Sequence, residues 1–175
     1  YVIGGQESTG SLTDIRYASL AGNGTFGTWA STTSTFTNAR RNLTAVVADN
    51  FLYIIGGWNG TTSYNTIYYK DIGTDGNISG TWSSTTFTNA RYGHASVLYN
   101  GYLYIIGGYD GTTYYNNVAY APVNTDGTLG SWLASTAFTT GRYGHAATTY
   151  GGNLYILGGL ASGPTYKNDV QYARI

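Results

Sequence analysis

The apolar positions of this chain fall in short runs that end at turn-forming pairs. Residues 94–99 form one such run, which stops at Asn100-Gly101, and a second run, 103–106, follows at once. An Asn-Gly pair tolerates positive φ at both central positions of a two-residue turn, so this pattern favours a β-hairpin. Asp49-Asn50 and Gly151-Gly152 stand at the same place in other parts of the chain. The pattern predicts tight hairpins of two short strands.

Each hairpin is followed by further segments with the features of strands. A polar loop leads to a third strand, predicted at residues 14–18, 65–69, 117–121 and 169–173. Asp75-Gly76 or Asp126-Gly127 then turns the chain toward a segment that holds a Trp. The sequence therefore predicts units of four strands.

The same markers recur at a fixed interval. Glycine doublets begin at residues 4, 56, 107 and 158, which are 52, 51 and 51 residues apart, and an Arg stands 16 residues before each of the last three. This divides the chain into repeats of approximately 1–51, 52–102 and 103–153, with a partial repeat at 154–175. A unit of four strands in about fifty residues is typical of a propeller blade, whose two apolar faces are buried by stacking on neighbouring blades.

The combination of repeated features resembles the kelch repeat. A Gly doublet at a strand end is followed by a Tyr and an Asn-Val or Asp-Ile pair, then by a Trp, and then by an Arg before the next first strand. The resemblance covers the whole chain. It implies an all-β, kelch-type β-propeller, of which this chain supplies about 3.5 four-stranded blades. With strands a to d from axis to rim, we expect b-c-d, then a-b-c-d twice, then a-b-c.

Three and a half blades do not close a ring, so the open blade faces need a cover. One interpretation is that further blades belong to the same, larger protein, because the chain opens at Tyr1 inside an apolar run and contains no Met. The other is that two or more copies assemble as a homo-oligomer that closes the propeller.

Composition narrows the possible partners. Eight basic residues balance eight acidic ones and only 9% of residues are charged, which argues against helices with solvated outer faces and against a nucleic-acid surface. No apolar run approaches the length of a membrane span. The chain has no Cys, which removes thiolate metal sites and thiol nucleophiles. We expect no cofactor, and the surface rich in Thr, Ser, Asn and Tyr favours an extracellular or cell-surface location.

Features shared by every copy are interpreted as structural. We expect the repeated arginines to hold blades together through charge-assisted hydrogen bonds to backbone carbonyls, and the repeated tryptophans to fill the core. These residues are Arg40, Arg91, Arg142, Trp29, Trp82 and Trp132. His94 and His145 correspond to Leu43 in the preceding copy, which predicts an apolar setting and hydrogen-bonded, structural histidines. No metal site is expected.

Residues that vary between copies are the candidates for ligand binding. In kelch recognition modules, the resemblance implies, the residue after the repeat Arg and the residue after the Gly doublet line the mouth of the central pocket. The first set here is Arg41, Tyr92 and Tyr143. The second is Gln6, Trp58, Tyr109 and Leu160, with Asp110 beside Tyr109. Aromatic rings with nearby polar groups suit sugars or peptide side chains. Since Arg41 is the one Arg among these positions, an acidic-peptide ligand is disfavoured.

These features favour a non-catalytic recognition module that binds a carbohydrate or protein ligand at the central pocket face. One alternative is a structural, self-assembling half-propeller. Another is a sugar epimerase or mutarotase, since some kelch propellers belong to such enzymes. General acid-base catalysis needs a positioned Glu, Asp or His, whereas the single Glu of the chain, Glu7, is predicted in a loop and no paired carboxylates stand out. We therefore expect no enzyme activity and no catalytic residue.

Overall fold

The protein is built from antiparallel sheets that stack as the blades of a partial propeller. A computed structural model describes residues 1–163 and 165–175. Within these residues the secondary structure is all β, and no helix has the length and hydropathy needed to cross a bilayer. The four main sheets are called blades 1 to 4 in chain order.

Blade 1 is a three-stranded sheet with a small hairpin beside it. Its strands are β1 (Val2–Ile3), β2 (Gln6–Glu7), β3 (Gly10–Ser11), β4 (Ile15–Tyr17) and β5 (Ala30–Ser31). The sheet has the order β1-β4-β5, and β2 pairs with β3.

Blades 2 and 3 each have four antiparallel strands in sequential order. Blade 2 contains β6 (Thr44–Ala48), β7 (Phe51–Ile55), β8 (Thr66–Asp71) and β9 (Ser83–Thr86). Blade 3 contains β10 (Ala95–Tyr99), β11 (Tyr102–Ile106), β12 (Val118–Pro122) and β13 (Leu133–Ser135).

Blade 4 combines a main sheet with a smaller one. Its strands are β14 (Arg142–Tyr143), β15 (Ala146–Tyr150), β16 (Asn153–Leu157), β17 (Leu160–Ala161), β18 (Thr165–Tyr166) and β19 (Val170–Arg174). The main sheet has the order β15-β16-β19 and the smaller one β14-β17-β18.

The predicted succession of strands is confirmed, with three, four, four and three strands in the main sheets of the described part of the chain. Strand β10 contacts β6 on one side and β15 on the other, so the first strands of successive blades lie side by side. The predicted hairpin turn is also present: Asn100 and Gly101 have φ values of 48° and 75°. The blades span the sequence repeats, since β6 falls in segment 1–51 but pairs with β7.

Among the described residues, the hydrophobic core is divided into three clusters, one between each pair of neighbouring blades. Between blades 2 and 3, for example, Ile67 packs with Leu103 and Ile105. Similar clusters lie between blades 1 and 2 and between blades 3 and 4. Neighbouring blades therefore bury the apolar faces that they turn toward each other, as expected for a propeller.

The three repeated tryptophans do not share one environment. Trp132 packs against the cluster between blades 2 and 3, and Trp82 packs against that between blades 1 and 2. Trp29 was expected in the core, but it is 46% exposed beside Phe26, which is 65% exposed. The expectation is wrong for Trp29, because its face of blade 1 has no neighbouring blade within the described part of the chain. At this position of the repeat, burial of the Trp requires an adjacent blade, as Trp82 and Trp132 show.

The repeated arginines connect successive blades. The backbone N–H of Arg91 donates to Tyr64 O and its carbonyl accepts from Gly57 N, both in blade 2. Its fully buried side chain donates from Nη1 to Gly107 O of blade 3 at 2.8 Å and from Nε to Asn89 O at 3.1 Å. Arg40 and Arg142 make the corresponding side-chain bonds to Gly56 O and Gly158 O, each at 2.9 Å.

Candidate binding face

The two predicted sets of variable residues pair with each other at one end of the blades. Arg41 and Trp58 exchange two backbone hydrogen bonds of 2.9 Å, and Tyr92 and Tyr109 exchange bonds of 2.9 and 3.0 Å. In blade 4, Tyr143 is paired with Leu160. In each blade, one member of the pair lies just before the first strand and the other lies just after the end of the second strand. The pairs from the three blades therefore lie at the same end of their sheets.

Side chains from these pairs form a continuous aromatic belt across three blades. The Arg41 guanidinium lies 4.5 Å from the Trp58 ring, and Trp58 stacks on Tyr92 with ring centroids 5.2 Å apart. Tyr92 meets Tyr109 and Tyr143 edge-on at 5.7 and 6.0 Å. Tyr109 and Tyr143 stack at 5.5 Å.

Tyr114 is a belt member that the sequence reasoning missed. Its ring lies 4.4 Å from Tyr109 and 5.8 Å from Tyr143. Ser63 makes the equivalent bridge to Trp58 in blade 2, so the position carries no repeated aromatic signal. We define the aromatic belt as the following residues, all partly buried: Arg41, Trp58, Tyr92, Tyr109, Tyr114 and Tyr143.

Asp110, which was predicted to bind ligand, accepts hydrogen bonds from residues of its own loop. One carboxylate oxygen accepts from the backbone N–H groups of Thr112 and Thr113 at 2.8 and 2.7 Å, and the other accepts from the Tyr115 hydroxyl at 2.7 Å. Burial opposes ionisation of Asp110, but these hydrogen bonds outweigh it and hold the pKa well below its usual range. Asn59 accepts from Thr61 and Thr62 in the same way. These residues order the loops that carry the belt.

Two belt tyrosines have hydroxyl groups that are harder to ionise than an ordinary phenol. Partial burial raises the pKa of Tyr92 and of Tyr109, and neighbouring phenols raise both further. The Tyr109 hydroxyl already donates to Gly111 O at 2.6 Å. The belt therefore offers apolar ring surface together with phenolic hydroxyl groups.

The other two predicted ligand-binding residues, Leu160 and Gln6, make none of the ring contacts that form the belt. Leu160 lines an open depression of about 400 Å³ at the blade 4 end of the belt, together with Tyr143, Tyr166 and Lys167. Gln6 is exposed in β2, where it pairs with Ser11 of β3 on blade 1. Gln6 thus belongs to a blade that contributes no aromatic ring to the belt.

The two histidines are buried between blades. His94 Nε2 lies 2.8 Å from the Thr44 hydroxyl oxygen, whereas neither ring nitrogen of His145 has a hydrogen-bond partner among residues 1–163 and 165–175. The expectation of a hydrogen-bonded histidine is therefore wrong for His145. The position equivalent to Thr44, one repeat of 51 residues later, is Ala95, which has no hydroxyl.

Acidic and histidine side chains do not converge in the described residues, where no group of three or more could hold a metal ion. Glu7 was predicted in a loop, but it lies in strand β2, where it is exposed and its carboxylate accepts from the Thr9 hydroxyl at 2.8 Å. Neither observation adds to the candidate site, which remains the aromatic belt.

Stacked four-stranded blades, glycine doublets at strand ends and a buried Arg that connects each blade to the next define a segment of a kelch-type β-propeller. A family model described as the KLHDC2/KLHL20/DRC7 Kelch-repeats domain matches residues 1–159, and the chain belongs to this kelch-repeat family. A comparison with curated proteins finds no match. Family membership supports a protein-interaction propeller module in general terms.

Proposed function

We propose that the chain binds an extended segment of a partner protein across the aromatic belt. The observation that carries the proposal is the unbroken series of ring contacts from Trp58 in blade 2 through Tyr92 and Tyr109 in blade 3 to Tyr143 in blade 4. Tyr and Trp supply large contact area with little conformational entropy to lose, and loops on a rigid scaffold commonly carry binding residues.

The ring contacts favour a peptide over a sugar as the ligand. Trp58 packs against both the Arg41 guanidinium and the Tyr92 ring, and Tyr109 packs against Tyr114 and Tyr143. A sugar that stacks on an aromatic residue needs a free ring face, and the belt uses much of its ring surface internally. Ring edges, crevices between rings and phenolic hydroxyls remain, and they suit apolar side chains and peptide carbonyls.

The charges around the belt indicate where a partner carries charge. Arg41 lies at the blade 2 end, and Lys167 lines the depression at the blade 4 end. The Asp110 carboxylate lies between them, but its oxygens already accept hydrogen bonds from Thr112 and Tyr115 of its own loop. We therefore expect the middle of the bound segment to be uncharged and apolar, with any acidic residue near one of its ends.

The proposal is tested with a displayed library of random peptides selected on the immobilised chain. Synthetic versions of selected peptides are then titrated against the wild type, Tyr92→Ala and Tyr143→Ala. Each substitution removes a central ring of the belt and is expected to weaken binding at least about tenfold. Tyr150→Ala is the matched control, because Tyr150 is 80% exposed at the opposite end of β15. The thermal unfolding of every variant is measured alongside.

Three results decide the matter. Loss of peptide binding in folded Tyr92→Ala and Tyr143→Ala, with Tyr150→Ala unchanged, supports the belt as a peptide site. Equal binding by all variants contradicts it. If a glycan array gives signals that depend on Tyr92 while no selected peptide does, the ligand is a carbohydrate and the peptide proposal is wrong.

A further inference from the structure

The aromatic belt is built differently at its two blade boundaries. Where blade 3 meets blade 4, Tyr143 lies against two rings of blade 3, with centroids 5.5 Å from Tyr109 and 5.8 Å from Tyr114. Where blade 2 meets blade 3, Tyr92 takes the place of Tyr143 and stacks on Trp58 of blade 2 at 5.2 Å. In the described part of the chain, blade 2 thus gives Tyr92 one ring where blade 3 gives Tyr143 two.

The difference comes from one position of the repeat. Ser63 pairs with Trp58 as Tyr114 pairs with Tyr109, through an isolated antiparallel bridge. The Tyr114 ring lies 4.4 Å from the Tyr109 ring, whereas the serine side chain ends at its hydroxyl. A ring placed at position 63 as Tyr114 is placed in blade 3 would lie against Trp58 and, across the blade boundary, against Tyr92. We call the place bordered by Trp58, Ser63 and Tyr92 the Ser63 subsite.

The hydroxyl at the base of the Ser63 subsite is already hydrogen-bonded within the protein. Ser63 Oγ donates to Asp110 O of blade 3 at 3.0 Å. An apolar ring that covers Ser63 therefore leaves this hydroxyl paired, which avoids the cost of burying an unsatisfied donor. The walls are the partly buried rings of Trp58 and Tyr92. This surface suits an aromatic side chain better than it suits a charged one.

The loops beside the Ser63 subsite are ordered by their own hydrogen bonds. Asn59 accepts from the backbone of Thr61 and Thr62 and donates from Nδ2 to the Tyr64 hydroxyl at 2.8 Å. Asp110 is held by its own loop in the same way. A ligand therefore meets a preformed subsite and does not have to order these loops when it binds.

We propose that the Ser63 subsite takes a Phe or Tyr side chain of the segment that binds across the aromatic belt. There the partner ring packs on Trp58 and Tyr92, as Tyr114 packs on Tyr109 and Tyr143 between blades 3 and 4. The assignment rests on the proposed function, and it adds the residue type that anchors the segment and the place where this residue lies. Aromatic anchors in pockets commonly contribute a large share of the binding energy of an interface.

Filling the subsite from within the chain tests this assignment. Ser63→Tyr gives blade 2 the residue that blade 3 has at this position. A Cβ added to Gly141 would clash with the Tyr114 carbonyl oxygen, and the residue of blade 2 equivalent to Gly141 is Ala90. The filled variant therefore combines Ser63→Tyr with Ala90→Gly. Its matched control combines Thr62→Tyr with Ala90→Gly, which adds the same ring at the exposed neighbouring residue.

The probes are peptides selected from a displayed random library on the immobilised wild-type chain. We expect the selected peptides to share a Phe or Tyr, and its replacement by Ala to weaken binding to the wild type at least about tenfold. The filled variant should bind the original peptides at least about tenfold more weakly than its control does. It should bind the Ala peptides as the control does, because the subsite no longer receives a ring from the peptide.

Nuclear Overhauser contacts in the wild-type complex locate the peptide ring without any substitution in the protein. Contacts between the ring protons and the β-protons of Ser63 support the assignment, and ring contacts with other belt residues alone overturn it. Thermal unfolding shows whether both variants are folded, and if the filled variant is not, these contacts decide.

The outcomes separate this assignment from the proposed function. Selected peptides that share no aromatic residue overturn it, and so does a filled variant that binds like its control. An equal loss of the Ala peptides in the filled variant also overturns it, since the broken Ser63–Asp110 bond would then explain the effect. If such peptides still depend on Tyr92 and Tyr143, the proposed function stands. If no selected peptide depends on either tyrosine, both proposals are wrong.

Discussion

The hydroxyl of Tyr53, on strand β7 of blade 2, donates to the carbonyl oxygen of Gly127, in a turn of blade 3, at 2.8 Å. The equivalent residue one repeat earlier, Tyr1, donates to Gly76 O of blade 2 at 2.6 Å. A tyrosine beside or within the second strand of one blade thus bonds to the turn between the third and fourth strands of the next. We call each pair a tyrosine latch. The latches and the repeated arginines connect the same neighbouring blades from different positions.

Tyr53→Phe is expected to destabilise the protein. Tyr53 is fully buried, and removing its hydroxyl leaves the Gly127 carbonyl without this donor, at a cost of about 1–2 kcal/mol. Tyr1→Phe is the matched control: Tyr1 is 43% exposed, so water can replace the lost bond and the expected change is below about 0.5 kcal/mol. Urea unfolding measures both. Equal losses would show that burial of the latch does not matter.

Tyr53 is also expected to make stability fall at alkaline pH. Burial, with smaller effects of Asp49, Tyr69 and Asp126, raises the pKa of Tyr53 to about 12, whereas an unfolded tyrosine titrates near pH 10. Between about pH 10 and pH 12 the unfolded chain loses this proton and the folded chain keeps it, so the free energy of unfolding decreases as pH rises. The decrease should be shallower in Tyr53→Phe than in the wild type. Matching slopes would contradict this.

Arg91→Lys is expected to cost about 2–4 kcal/mol of stability. The Arg91 guanidinium donates to Gly107 O, Asn89 O and Asn117 Oδ1 and lies 4.0 Å from the Tyr115 ring. Burial lowers the pKa of Arg91 to about 10, which leaves it charged at neutral pH. A lysine ammonium cannot match this planar arrangement of donors, so buried acceptors would lose their bonds.

Arg16→Lys provides the matched control for that substitution. The Arg16 side chain is 61% exposed and pairs with Asp14 at 3.4 Å. Exposed ion pairs contribute little, and the expected change is below about 0.5 kcal/mol. Thermal unfolding distinguishes the two variants, and a loss of similar size in both would mean that the buried hydrogen bonds of Arg91 contribute little.

The fold could be predicted largely because its determinants are local and repeated. The turn at Asn100-Gly101 is encoded by residues that accept positive φ, and the four evenly spaced glycine doublets mark one blade each. Trp29 shows the limit of this reasoning. A repeat fixes the position of a side chain within its blade, but burial also depends on the neighbouring blade, which the local pattern does not describe.

The candidate site could be predicted only in outline. The positions of Trp58, Tyr92 and Tyr143 followed from the kelch resemblance, and the structure places their rings in one belt. Tyr114 was missed because the equivalent position in blade 2 is Ser63, so no repeated signal marks it. The role of Asp110 in its loop could have been predicted from the sequence. Asn59 occupies the equivalent position in the preceding repeat, and both Asn and Asp accept hydrogen bonds from the backbone of a following turn.

The buried histidines are expected to make the protein sensitive to acid. Burial, and next the charge of a neighbouring Arg, lowers the pKa of His94 to about 3 and that of His145 to about 4. An unfolded histidine titrates near pH 6.5. As pH falls below this value, the unfolded chain therefore binds protons at these histidines, whereas the folded chain does not. The free energy of unfolding should therefore decrease between about pH 6.5 and pH 4.

Substitution by Leu tests this assignment, since Leu43 occupies the corresponding position in the preceding copy. The double variant His94→Leu/His145→Leu should lose less stability between about pH 6.5 and pH 4 than the wild type does, whatever its stability at neutral pH. Guanidinium unfolding at a series of pH values measures the slope. A double variant that is as acid-sensitive as the wild type would assign the effect to other groups.

Ala95→Thr is expected to stabilise the interface between blades 3 and 4 by about 1 kcal/mol. Thr44 gives His94 Nε2 a partner at 2.8 Å, and Ala95 stands at the equivalent position next to His145, which has no such partner in the described residues. The Ile106 backbone near the His145 ring makes no hydrogen bond of good geometry with it. A threonine hydroxyl at position 95 would supply the missing bond.

Ala95→Val separates the hydroxyl from the added volume, because valine has nearly the same shape as threonine and no hydroxyl. If the hydrogen bond forms, Ala95→Thr is more stable than Ala95→Val in the wild-type background, and the difference disappears when His145 is replaced by Leu. Urea unfolding of these variants completes a double-mutant cycle. A Thr–Val difference that persists without His145, or that is absent with it, would show that the histidine gains no partner from position 95.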